Sequence, residues 1–141
     1  MKRIIIAVLL LAGLHASAQK MDASKVPDAV KKSFTGKVPA AADVKWEKEK
    51  GNYEANYKVG NQNKSSTFAP DGAWLETENS IAATSLPAAA VEYLAKNYKG
   101  EKIKEAAQIT LANGETRYEA EIKGTDVIFD AKGTFIKTEK D

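Results

Sequence analysis

Apolar and polar residues change their spacing along this chain, and each change marks an element. From Ile4 to Leu14 the run is apolar throughout. Further on, Val26, Val30 and Phe34 recur at the spacing that places side chains on one face of a helix, and Leu86, Ala90, Leu94 and Tyr98 do the same. Tyr53, Ala55, Tyr57 and Val59 then alternate with Asn52, Glu54, Asn56 and Lys58, while Tyr118, Ala120 and Ile122 alternate with Glu119, Glu121 and Lys123. A period of two predicts half-buried strands. Asn113-Gly114 is the strongest hairpin signal in the chain, with Gly51-Asn52, Lys123-Gly124, Pro70-Asp71-Gly72 and Ala131-Lys132-Gly133 as further turns.

These elements are written twice. Val26-Pro27-Asp28-Ala29-Val30 answers Leu86-Pro87-Ala88-Ala89-Ala90, and Tyr53-Glu54-Ala55-Asn56-Tyr57 answers Tyr118-Glu119-Ala120-Glu121-Ile122. The closing stretch Phe68 to Glu78 answers Phe129 to Glu139. Val44 and Trp46 align with Ile109 and Leu111 as core positions of the strand before. Each unit therefore predicts a helix that begins at a proline, followed by a meander of four antiparallel strands. Ser24 and Thr84 are candidate helix caps, and Gly36 and Gly100 candidate left-handed terminators, which would give the second helix an extra turn. The expected fold class is α+β, with helices on one face of a curved sheet and the other face open. The expected organisation is a signal peptide at 1–18, an N-terminal segment at 19–25, a first repeat at 26–78, a linker at 79–85 and a second repeat at 86–141.

The apolar run is an address. Lys2 and Arg3 precede it, and Ala16-Ser17-Ala18 supplies a small-x-small cleavage site before Gln19. The run is too short to span a bilayer, which takes about 20 residues. With no cysteine in the chain, lipid anchoring is not expected, and stable membrane insertion after cleavage is not either. The expected location is periplasmic or secreted. Loss of the signal removes two of the 21 basic residues and leaves the 19 acidic ones balanced, so the chain lacks the net positive charge of a nucleic-acid binder.

The Pro-initiated helix, the Tyr-x-Ala-x-Tyr strand (Tyr53, Ala55, Tyr57) and the closing Phe-x-x-x-Gly-x-aromatic-aliphatic hairpin (Phe68, Gly72, Trp74, Leu75) resemble the PepSY-like family, also described as β-lactamase-inhibitor-like. The resemblance runs from Val26 to Asp141. It implies an exported protein with helices on one side of a curved antiparallel sheet, and an open sheet face that recognises another protein. Neither the disulfides nor the inhibitory loop of the founding inhibitor has a counterpart here.

Little in the residues points to catalysis. Cysteine is absent and the one histidine, His15, lies in the leader. The commonest general base and the best zinc ligands are therefore missing from the rest. Asp71 and Asp130 belong to turns, and no phosphate-cradling glycine loop occurs. No enzyme activity, cofactor or metal is expected. The aromatics offer more. Adjacent strand residues point to opposite faces, so one member of each pair Trp74-Leu75 and Phe135-Ile136 faces away from the helices. With Leu75 and Ile136 inward, Trp74 and Phe135 become interface anchors on the polar face, rimmed by Glu54, Asn56, Lys58, Glu119 and Glu121. With the rings inward, they belong to the core.

The expected function is an exported, non-enzymatic protein-binding module, an inhibitor or regulator of an envelope or secreted protein, acting through the open sheet face. Two alternatives stand beside it. One is a periplasmic small-molecule binder or sensor with a cavity among Phe34, Tyr57, Leu94 and Tyr118; the other is a structural envelope protein without a discrete site.

Overall fold

A computed structural model describes residues 18–140, so the signal peptide assigned to 1–18 lies outside the described residues apart from Ala18. Nine antiparallel strands follow one another in sequence order in a single sheet: β1 (Gln19–Met21), β2 (Ala42–Glu49), β3 (Asn52–Val59), β4 (Gln62–Phe68), β5 (Trp74–Ile81), β6 (Glu105–Leu111), β7 (Thr116–Ile122), β8 (Thr125–Asp130) and β9 (Phe135–Lys140). Two helices, α1 (Asp28–Lys37) and α2 (Ala88–Asn97), interrupt the strand succession after β1 and after β5. The class is α+β, with one strand more than the expected eight. Gln19–Met21 pairs with β2 through Gln19–Lys48 and Met21–Trp46.

Both helices begin immediately after a proline, Pro27 or Pro87, at the cap position. Neither cap makes a side-chain hydrogen bond, and Ser24 and Thr84 lie instead inside single 3-10 turns at 23–25 and 83–85. Asp22 caps the first of those turns by accepting from the Ser24 amide at 2.8 Å. Gly36 is helical rather than a terminator, because α1 runs one residue past it; Gly100, at φ +74°, does take the left-handed conformation. Each helix has ten residues, so the extra length expected in α2 goes into the connection to β6.

Helix burial makes two clusters on one side of the sheet. Val26, Val30 and Phe34 pack on Trp46, Tyr53, Ala55, Tyr57 and Phe68. The Phe34 ring meets Trp46, Tyr57 and Phe68 edge-on at 5.3, 5.2 and 6.2 Å between centroids, an arrangement favoured by the ring quadrupoles. Leu86, Ala90 and Leu94 pack on Ala106, Ala120, Ile122, Val127 and Phe129. Where the first cluster has Tyr57 and Ser66 it carries a polar chain. Tyr57 Oη and Ser66 Oγ lie 2.9 Å apart, Ser66 Oγ and Thr77 Oγ1 2.7 Å, and Trp74 Nε1 donates to Thr77 Oγ1 at 3.0 Å.

The alignment of Val44 and Trp46 with Ile109 and Leu111 does not hold. Trp46 opposes Ala55, and the residue in that role on β6 is Ala106, which opposes Ala120. Ile109 lies three residues on, an odd step along a strand, and so projects from the other face. The expected linker at 79–85 begins inside β5: Asn79, Ser80 and Ile81 pair with Gln108, Ala107 and Ala106. That pairing joins the two halves into one sheet.

The turns that close the β4–β5 and β8–β9 hairpins lock against the starts of the helices. A Cβ built on Gly72 (φ +91°) would stand 2.7 Å from the Ala29 carbonyl oxygen, and one on Gly133 (φ +87°) 2.8 Å from the Ala90 nitrogen. Only glycine satisfies both the conformation and the approach.

Candidate functional site

The face away from the helices has no element over it, and it is strongly concave. In a flat sheet, seven strand spacings would put about 34 Å between β2 and β9. Yet Lys50, in the turn after β2, has its Nζ 4.0 Å from Glu139 Oε2 of β9. The sheet curls round on itself without β1 and β9 pairing, and the hollow it encloses has a volume of about 520 Å³.

Strand register dictates what lines this hollow. Glu47 faces Glu54, Glu54 faces Thr67, and Thr67 faces Glu76 across β2, β3, β4 and β5. Glu78 sits between Ser65 and Ile109, and Glu119 faces Ile128. Glu105, Glu121, Asp126 and Glu139 follow one another across the last four strands. With Glu49, ten of the chain's 19 carboxylates line the hollow, against four cations: Lys50, Arg117, Lys137 and Lys140. That leaves nine carboxylates and 15 cations over the rest of residues 19–141. A balanced composition therefore conceals an acidic concave face and a basic remainder.

The curl brings like charges together, and the carboxyls respond. Burial, reinforced by Glu54, Glu76, Asp126 and Glu49, pushes Glu78 up to about 8. Burial also raises Glu54, with Glu47 and Glu49 adding to it and hydrogen bonds from Ser65 and Asn56 opposing. Glu76 rises for the same first reason, with Glu139 adding to it and Arg117 and Lys137 pulling back. On the rim the balance reverses: the hydrogen bond from Lys137 holds Glu139 below the ordinary carboxylate range. Lys104 Nζ meets Glu121 Oε1 at 2.7 Å, and Arg117 pairs with Glu115 at 3.2 Å. No group of three or more described His, Asp or Glu side chains is arranged to hold a metal ion.

Glu54, Glu119 and Glu121 are thus brought together in the hollow. Asn56 and Lys58 stand further along the same face of β3, where Lys58 pairs with Asp43 at 3.7 Å. Trp74 and Phe135 are not on this face, which corrects their placement as anchors there. Register shifts at Thr67/Phe68 and Ile128/Phe129 set Trp74 opposite Phe68 and Phe135 opposite Phe129, and both partners are fully buried on the helix side. Trp74 packs against the first cluster, with Lys37 Nζ 3.4 Å from its ring centroid. Phe135, 38% exposed, stacks on Tyr93 of α2 at 4.8 Å. Phe34, Tyr57, Leu94 and Tyr118, expected to line one cavity, are not brought together either. The first two residues are in ring contact in one cluster, and the other two belong to the second.

Glu76, Glu78, Asp126, Ile109 and Ile128 are site residues that strand alternation alone missed. The alternation Glu76-Thr77-Glu78 was visible, but which face it served depended on the bulge before Glu76.

A family model described as "Putative beta-lactamase-inhibitor-like, PepSY-like" matches residues 14–64 and 52–137. Among solved structures, a putative periplasmic protein from Bacteroides eggerthii superposes with a TM-score of 0.71 at 17% identity, covering 82% of this chain and 88% of its own. A DUF2874 family protein from Bacteroides ovatus gives 0.68 at 17% identity over 81% and 86% of the two chains. A BLIP-like protein from Bacteroides fragilis gives 0.64 at 20% identity over 81% and 86%. These likenesses show a shared fold. Among curated proteins none matches the chain. No helix among the described residues is long and apolar enough to cross a membrane.

Proposed function

Because the chain belongs to the PepSY-like, β-lactamase-inhibitor-like family, we propose that it is an exported, non-enzymatic binding module whose open concave sheet face recognises a protein partner in the cell envelope. Two tandem units, each turning its strand meander towards the same hollow, build that face. The observation that carries this reading is the uncovered, curled sheet: a hollow of about 520 Å³ lined from β2 to β9, with both helices spent on the opposite side. A solvated sheet face needs no such curl, and a concave surface gives a partner more contact than a flat one. The family description makes an inhibitor or regulator of an envelope or secreted protein the sharpest form of the reading. The periplasmic descriptions of similar folds support the same compartment.

The test is site-specific photo-cross-linking in intact cells. A photoreactive residue at Thr67, on the floor of the hollow, is expected to capture a discrete envelope protein. The same group at Val91, exposed on α2, is expected to capture none. Capture from Val91 with none from Thr67 overturns the assignment of the face.

A further inference from the structure

Charge and floor together specify what kind of segment the hollow accepts. Ile109 and Ile128 project from the open face, yet each is only 5% exposed, so the curl has sunk them into an apolar floor. Glu78 adjoins that floor through its pairing with Ile109, at the middle strand of the nine. Three of the four cations lining the hollow are paired: Lys50 lies 4.0 Å from both Glu49 and Glu139, Lys137 pairs with Glu139, and Arg117, in the same row as Glu78 and Ile109, pairs with Glu115. Among the described residues, no lysine or arginine nitrogen stands within ion-pair distance of Glu54, Glu76 or Glu78. A surface of this sign repels anionic partners and matches a cation carried on an apolar stem.

Resting on the recognition reading above, we infer that the open face takes a lysine- or arginine-bearing segment of a protein partner, its cationic head beside Glu78 and its methylene stem against Ile109 and Ile128. A protein segment fits better than a free ion. The hollow is several side chains wide, and its carboxylates are spread over strands from β2 to β9 instead of being gathered as ligands. Arrival of the cation favours the ionised form of a carboxyl that burial and its acidic neighbours otherwise keep protonated, so binding expels a proton.

The test is calorimetric titration of the protein with a capped peptide of alternating lysine and valine, run in two buffers of different ionisation enthalpy, with a glutamate–valine peptide as comparison. The lysine peptide is expected to bind at low salt and to weaken about tenfold or more as salt is raised. Its heat is expected to differ between buffers in the sense of proton release. Glu78→Gln should diminish the buffer dependence, and Glu54→Gln with Glu78→Gln should weaken binding about tenfold or more. The glutamate peptide should not bind. Equal binding of both peptides, or lysine-peptide binding that the double variant leaves unchanged, overturns the inference. No binding of the lysine peptide, together with cross-linking through Thr67, sinks the cationic partner and leaves the recognition face standing. Cross-linking through Val91 alone sinks both.

Discussion

Replacing Glu78 by glutamine removes a titratable carboxyl from the middle of the hollow and leaves the shape of the side chain nearly unchanged. In the folded protein the Glu78 carboxyl titrates near 8, against 4.5 for an unperturbed glutamate. Folding at neutral pH therefore takes up close to one proton at this position, and the slope of stability with pH is negative between those two values. The sign follows directly. The stability associated with the protonated carboxyl is complete below pH 4.5 and is lost as pH rises through about 8. At pH 7 the accumulated cost is about 3 kcal/mol if nothing screens it. The hollow is open on one side and solvent screening lowers this, so about 1–3 kcal/mol is expected in practice. Urea unfolding followed by circular dichroism should show Glu78→Gln raising the midpoint at pH 7 without changing the slope. The gain should grow towards pH 8 and fade towards pH 4.5. A variant less stable than the parent at pH 7, or one whose difference from it is the same at every pH, would refute the electrostatic origin and point to packing.

Three further outcomes follow from the packing. Gly72→Ala and Gly133→Ala each force a Cβ to within 2.7–2.8 Å of helix backbone at a positive φ, so thermal unfolding should show losses of about 2 kcal/mol or more. Ser66→Ala breaks the chain linking Tyr57 to Thr77 in a fully buried position, with an expected cost of about 1–3 kcal/mol in chemical denaturation. Phe135→Ala removes the stack on Tyr93 at the helix side, so it should cost about 1 kcal/mol of stability while leaving capture through Thr67 intact.

The helices and most strands were legible because their burial is periodic: Val30 and Phe34 one turn apart, Tyr53, Ala55 and Tyr57 two residues apart. Period does not reveal where a strand slips. The bulges before Phe68 and Phe129 decided between the two faces open to Trp74 and Phe135 and put both rings on the helix side, and the odd step from Ala106 to Ile109 moved an isoleucine from core to open face. β1 escaped notice because three residues are too few to show alternation. The candidate site was half legible. Glu54, Glu119 and Glu121 lay on recognisably polar strand faces, but their meeting with Glu78 depends on sheet curl, which neighbouring residues in sequence do not encode.

The most direct test labels isoleucine methyl groups and follows them by NMR as the protein captured through Thr67 is added. Ile109 and Ile128 form the floor of the hollow, whereas Ile103 packs on the helix side and Ile136 sits exposed at the start of β9. Shifts at Ile109 and Ile128 with Ile103 and Ile136 unmoved are the predicted result. Shifts confined to Ile103 and Ile136 would contradict it, and would move recognition to the helical side.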